Sequence, residues 1–197
     1  MIAAIVLAAG ASKRFGRQKL IELYMWKPII RRAVEAAMAS GVDETIVVTG
    51  GDDRVRRKAE RTGARCVTNV AWESGMASTI AAGIAALAPG TQAALIVLGD
   101  QPSVPAKGYR AVLDAYRAHG TAIVVPVYWP KVRGHPVLFD ASVFPELLAL
   151  SGDHGAREVI QRDPARVREV RVLRPAPPDM DTTADVSSIL NLLHLIQ

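Results

Sequence analysis

The sequence predicts an α/β protein with a mostly parallel central sheet, covered by helices on both faces to make three layers. Three observations carry this expectation. Apolar, β-branched runs recur at residues 3–7, 45–49, 93–98, 123–127 and 167–173. Helix-period segments separate most of them, which is the alternation of βαβ units. Runs such as Ala94, Leu95, Ile96, Val97 and Leu98 are apolar at every position, as suits strands buried on both faces of a parallel sheet.

The elements can be taken in order. After the first strand comes a glycine-bearing turn, and Cys66 falls in a further short strand after Arg65. A helix is expected from Met76, where Met76, Ile80, Ile84 and Leu87 stack at helical spacing before Pro89 and Gly90 stop it. Another follows Pro105, with Tyr109, Val112, Leu113 and Tyr116 on one face. A last helix is expected from Thr182, capped with the help of Asp185, through Leu190 to Ile196. The proline-rich residues 174–178 read as a rigid connection into Asp179, Met180 and Asp181. No repeat or flexible linker interrupts the chain, so residues 1–197 are expected to form one domain.

Composition narrows the function. Hydrophobic residues make up 50% and charged residues 22% of the chain, the balance of an ordinary globular protein. Cys66 is the only cysteine, which excludes an intrachain disulfide and a cysteine-rich zinc site, so any metal needs carboxylates. The apolar start is far shorter than the ~20 residues that span a bilayer, and its positive charges come after the apolar run, the wrong order for a signal peptide. A cytoplasmic protein with no membrane partner is therefore expected. The net charge of +5 suits polyanionic ligands. The densest basic run, residues 54–65, is interrupted by Glu60 and has no aromatic residue, so it reads as a solvated helix face rather than a nucleic-acid patch.

The most informative stretch is LAAGASKRFGRQKL, from Leu7 to Leu20. Leu7, Ala8, Ala9 and Gly10 leave the first strand, and their small side chains let the backbone approach a ligand. Consecutive amides there make an anion nest, and Arg14 and Lys19 can neutralise the phosphates of a triphosphate. The loop is neither a Walker loop, since five residues separate Gly10 from Gly16 and Arg17 follows, nor the dinucleotide fingerprint GxGxxG. LGDQP then puts Asp100 just past the carboxyl end of an apolar strand, the rim where ligands bind in open α/β sheets, and a carboxylate there suits Mg²⁺. RGHP presents Arg133 and His135 beside Gly134 and Pro136, groups that suit an anionic acceptor.

The stretch LAAGxSxRxGxxKL resembles the signature of the MobA-like nucleotidyltransferases. Asn69 with GMASTIAAG from Gly75, LGDQP from Leu98, RGHPVLF from Arg133, GDHGAR from Gly152 and DMDTTAD from Asp179 occur in that family's order. Together these blocks resemble the molybdenum cofactor cytidylyltransferase branch. The resemblance implies a Rossmann-like nucleotidyltransferase fold and transfer of a nucleoside monophosphate, with CTP as donor. It gives Arg14, Lys19 and Asp100 the catalytic roles and Asp100 with Asp181 the Mg²⁺. Leu7, Ala8, Ala9, Gly10, Asn69 and Ser78 join Arg14 and Lys19 around the nucleotide. Arg133, Gly134, His135 and Pro136 fall near a molybdopterin-type acceptor, and a molybdenum hydroxylase or its chaperone becomes the expected recipient of the product. Within GDHGAR, Asp153 or Arg157 is favoured over His154.

The chain departs from the pattern at Phe15 and at Tyr24, Met25, Trp26, Lys27 and Pro28, on the acceptor side. Three alternatives stay open at this point: a relative using another NTP or a sugar or polyol phosphate acceptor, a nicotinamide-dependent oxidoreductase, and a non-catalytic nucleotide- or cofactor-delivery protein.

Overall fold

The computed structural model describes residues 1–12, 15–178 and 180. Arg14, Asp181 and the helix expected from Thr182 lie outside the described residues.

In chain order the elements are β1 (Ile2–Ala8), β2 (Leu23–Tyr24), β3 (Lys27–Pro28), α1 (Ile29–Met38), β4 (Glu44–Thr49), α2 (Asp53–Glu60), β5 (Arg65–Thr68) and α3 (Met76–Ala85). They continue with β6 (Ala93–Leu98), α4 (Ala106–His119), β7 (Ile123–Trp129), β8 (Val132–Arg133), β9 (Val137–Asp140), α5 (Phe144–Leu148), α6 (Arg157–Arg162) and β10 (Val167–Pro175). All five apolar runs read from the sequence are strands, and both described helices predicted from periodicity form.

The main sheet runs β10-β7-β9-β6-β1-β4-β5, with β8 added to β7. β1 pairs in parallel with both β4 and β6, β4 with β5, and β7 with β10. Among the described strands of this sheet, β9 and β8 alone run the other way, β9 lying antiparallel between β6 and β7. A mixed sheet of this kind fits the expected mostly parallel architecture.

Side chains alternate across this sheet because successive Cβ atoms of a strand point to opposite faces. Ala4 and Val6 of β1 and Leu95 and Val97 of β6 pack with Ile30 and Val34 of α1, Val55 of α2 and Val112 of α4. Ile5 and Ile96, one step along, pack on the other face with Ile80 and Ile84 of α3, Leu147 of α5 and Val159 of α6. The three layers result from this alternation, and each fully buried aliphatic side chain contributes roughly 1.5–3 kcal/mol of transfer free energy.

The basic run of residues 54–65 is a solvated helix face. In α2 only Val55 and Ala59 are buried, while Arg54 pairs with Asp52, Arg56 with Glu60, and Arg65 with Glu44. Cys66 is half-buried, and burial raises its thiol pKa, which keeps it in the unreactive protonated form.

The strand order fixes where a ligand can enter. The chain steps outward from β1 to β4 and β5, then returns to lay β6 on the other side of β1. At such a reversal the loops leaving the two neighbouring strands diverge, one to each face, and open a crevice at their carboxyl ends.

Candidate active site

The crevice is present as a cleft of about 720 Å³, within the usual range for small-ligand sites. Its floor is the exit of β1, with Leu7, Ala8, Ala9 and Gly10, and the exit of β6, with Leu98 and Asp100. These two exits touch: the Gly99 amide donates to the Leu7 carbonyl at 3.0 Å. A Cβ at Gly99 would lie 2.8 Å from that oxygen, so only glycine lets β6 end this close to β1. Asp100 is thereby delivered to the lip of the cleft.

Lys19 meets it there. Its Nζ lies 2.7 Å from Asp100 Oδ2, with the two side chains 13% and 24% exposed. A pair this withdrawn from water is screened less than a surface ion pair. The loop carrying Lys19 is laced by Gln18, a buried side chain. Gln18 Nε2 donates to the Gly10 carbonyl at 3.2 Å, and its Oε1 accepts from the Ser12 hydroxyl at 2.9 Å and from the Leu20 amide at 3.3 Å. The Ser12 hydroxyl oxygen in turn accepts from the Lys19 amide at 3.2 Å. Buried Leu20 anchors the short 3₁₀ turn of Lys19–Ile21 that Gln18 caps.

Trp72, Glu73, Gly75, Met76, Thr79 and Asp153 form the opposite wall. The Trp72 indole packs on the glycine pair after β4: a Cβ at Gly50 would lie 3.0 Å from Trp72 Cγ, and one at Gly51 3.0 Å from Nε1. Gly75 has φ +109 and abuts the Gly152–Asp153 peptide, and the Ala77 amide at the start of α3 donates to the Gly152 carbonyl at 3.1 Å. The GDHGAR block is thus docked against the amino end of α3. Met76 is 45% exposed in this wall, not a core residue.

The site residues expected from the sequence divide into four groups. Leu7, Ala8, Ala9, Gly10, Lys19 and Asp100 come together around one cleft. Asn69 and Ser78 do not line it. Buried Asn69 donates through Nδ2 to Ser78 Oγ at 2.8 Å and to Thr79 Oγ1 at 3.2 Å, while its Oδ1 accepts from the Ala71 amide at 2.9 Å. Ser78 Oγ donates to the Gly75 carbonyl at 2.8 Å. Both brace the turn that carries Trp72 and Glu73. Arg14 and Asp181 lie outside the described residues.

The RGHP block forms a separate neighbourhood. Arg133, on β8, pairs with Glu169 of β10 at 2.6 Å. Gly134 backs onto the ring of Tyr128, whose hydroxyl donates to the His135 carbonyl at 2.6 Å, and the His135–Pro136 peptide is cis. None of these four is among the described residues lining the cleft. Of the GDHGAR alternatives, Asp153 lines the cleft, while His154 pairs with Glu158 on the surface.

Three residues here were not singled out by sequence reasoning: Gln18, Trp72 and Glu73. Trp72 carried the one available signal, a lone aromatic between a strand and a helix. The other two become visible only through their contacts.

A cleft of about 720 Å³ at the reversal point of a mostly parallel sheet, with a lysine and an aspartate at its lip, fits a nucleotidyltransferase-type α/β protein. The MobA-like NTP transferase domain matches residues 4–169, and the chain belongs to that family. It is 31% identical over 202 residues to nicotine blue oxidoreductase of Paenarthrobacter nicotinovorans, covering 99% of this chain and 96% of the relative. The crystal structure of Rv0371c from Mycobacterium tuberculosis H37Rv superposes with a TM-score of 0.84 at 31% identity, over 96% of this chain and 97% of the other. A second structure of that protein is a complex with manganese, at 30% identity and TM-score 0.82, over 96% of this chain and 98% of the other. The 3-deoxy-manno-octulosonate cytidylyltransferase of Coxiella burnetii is 28% identical over 127 residues, 64% of this chain and 50% of its own length. Among the described residues no helix is long and apolar enough to cross a membrane.

Proposed function

We propose that the protein transfers CMP from CTP to the terminal phosphate of a molybdopterin-type acceptor, with Mg²⁺, releasing pyrophosphate. The observation that carries this reading is the Lys19–Asp100 pair at the mouth of the cleft between β1 and β6.

Among the described residues no three carboxylate, histidine or cysteine side chains cluster to cage a metal by themselves. Asp100 alone offers a hard carboxylate oxygen at the lip, which fits Mg²⁺, an ion that commonly takes one or two carboxylates and completes its shell with substrate phosphates and water. Asp100 would hold the ion, with Asp181 as the second carboxylate. When bound, the ion offsets charge on the phosphate oxygens.

The chain's own residues do the rest. Ala8, Ala9, Gly10, Ala11 and Ser12 line the cleft, where their amides would serve as donors to phosphate oxygens. An acceptor phosphate oxygen attacks the α-phosphorus in line, the bond from that phosphorus to the β-bridging oxygen breaks, and pyrophosphate departs. Lys19, with Arg14, stabilises the charge that grows on the leaving group. No general base is needed, because a phosphate monoester with a second pKa of about 6 is already largely ionised at neutral pH. A methyl group at Ala9 narrows the floor for a pyrimidine rather than a purine. The name of the cytidylyltransferase relative supports CTP, and the GDHGAR block, whose Asp153 lines the cleft, supports the pterin acceptor through the resemblance, whereas RGHP lies outside the cleft and adds no support. The product would pass to a molybdenum hydroxylase or its chaperone.

A second reading, oxidoreductase activity, is favoured by the name of the relative from Paenarthrobacter nicotinovorans, nicotine blue oxidoreductase. One experiment separates the two. The protein is incubated with each NTP, Mg²⁺ and molybdopterin, and the products are identified by mass, alongside a parallel assay with NADH or NADPH and the dye nicotine blue. Formation of the cytosine dinucleotide with pyrophosphate supports the proposal; GTP used at least as well as CTP removes the base preference; reduction of the dye without dinucleotide formation replaces it by the second reading.

A further inference from the structure

We infer that Gln18 is a positioning residue that sets Lys19 against Asp100, an assignment that rests on the proposed role of Lys19. The geometry is specific to a carboxamide. Gln18 places a donor on the Gly10 carbonyl and an acceptor on both the Ser12 hydroxyl and the Leu20 amide, so one side chain joins the two ends of the loop. Ser12 completes the link by accepting the Lys19 amide hydrogen. The backbone on both sides of the Lys19 Cα is therefore tied, through residues 18 and 12, to the exit of β1.

Two further observations say that this lacing sets position rather than filling space. Ser12 has φ +52, an unfavourable conformation for a residue with a Cβ, and such conformations persist where surrounding contacts enforce them. Gln18 is buried although its neighbours Gly16 and Arg17 are exposed, and both ends of its carboxamide are engaged by these bonds. With them in place, a long and otherwise mobile lysine reaches across to the β6 rim at 2.7 Å. Side chains that keep the size but change the bonding break the arrangement: methionine removes every bond, and glutamate keeps the acceptor while setting a carboxylate oxygen against the Gly10 carbonyl.

The test has two arms on the full chain. In the first, Lys19 acylation by an N-hydroxysuccinimide ester at fixed pH is followed by peptide mass mapping in the wild type, Gln18→Met, Gln18→Glu and Asp100→Asn. We expect Lys19 to react several-fold faster in all three variants, with circular dichroism unchanged; a Gln18→Glu rate equal to that of the wild type overturns the inference. This arm does not depend on which reaction the protein catalyses. In the second, pyrophosphate release is measured in a double-mutant cycle. Gln18→Met should lower kcat on the order of 10- to 100-fold with a smaller change in the KM for NTP, and should cost nothing further in a Lys19→Ala background. An equal loss in both backgrounds overturns the inference. A wild type that turns over no NTP removes the functional reading instead, and the labelling arm then decides the role of Gln18 alone.

Discussion

Lys19 Nζ and Asp100 Oδ2 stand 2.7 Å apart across the lip of the cleft, joining the loop after β1 to the rim after β6. In this arrangement each charge neutralises the other. Under the proposed function a triphosphate with its metal ion would offer both a better partner, phosphate oxygens for the lysine and a divalent cation for the aspartate, and the pair would hold the two groups ready without committing them.

Replacing Asp100 with Asn keeps the shape and removes the charge. Pyrophosphate release from CTP should fall by on the order of 100-fold or more, the scale seen when one preorganised electrostatic contact is lost. The fold should remain, as read by circular dichroism. Near-normal turnover in this variant contradicts the role proposed for Asp100.

Divalent metal should stabilise the protein through the same residue. At a metal concentration 100 times Kd, binding to the folded state alone contributes about 2.7 kcal/mol. Thermal melting with Mg²⁺ or Mn²⁺ plus CTP should show a raised Tm in the wild type and a much smaller rise in Asp100→Asn. Equal shifts in both would move the metal elsewhere.

Gly75→Ala should destabilise the wall opposite Lys19. Its φ is +109 and a Cβ would collide with the Gly152 carbonyl, so both backbone strain and steric overlap oppose it. A loss of about 1–3 kcal/mol is expected from urea unfolding. Because the strain centres on the contact that docks the GDHGAR block, KM should also rise. Wild-type stability in Gly75→Ala would refute this packing.

Asp140 predicts part of the acid limb of stability. Burial raises its carboxyl pKa, but hydrogen bonds from Ser142, Tyr116 and the Ala141 amide outweigh this and hold it below the ordinary carboxylate value. A depressed folded pKa means the unfolded chain binds the proton more readily. The contribution is then fully present above the unfolded value of about 4 and is lost as pH falls through the folded one. Urea unfolding of Asp140→Asn should thus show its largest deficit near neutral pH and converge on the wild type in acid. A deficit that grows in acid would reverse the sign.

Much of the fold was legible because it is written in local patterns. The run of residues 93–98 reads as a strand from its own composition, and α4 from the spacing of Tyr109, Val112 and Leu113. β9 was harder. Its four residues sit inside the RGHPVLF block, and periodicity carries no information on strand direction, so its antiparallel insertion between β6 and β7 could not be foreseen. The β2–β3 hairpin was hidden for another reason: its turn uses Met25 and Trp26 at positive φ, where a glycine or asparagine would have announced it.

Site residues divide on the same line. The placement of Gly10 and Lys19 in the loop after β1 and of Asp100 at the end of β6 was readable, since each depends on its neighbours in sequence. Asn69 and Arg133 were not, because a polar side chain near a motif can face a ligand or its own chain with equal chemical logic. Asn69 turns inward to Ser78 and Thr79, and Arg133 turns to Glu169 on a strand of the sheet away from the cleft's floor.

The sequence by itself determined the layers, the strand-to-loop exits and the kinds of group available to hold phosphate and metal. Only the tertiary structure decided which of those groups share a cleft. The physical reason is the parallel pairing of β1 with β6: hydrogen bonds between two distant segments bring their carboxyl ends side by side, and with them Lys19 and Asp100. No local pattern specifies that pairing, because it is selected by the packing of the whole sheet between its two helical layers.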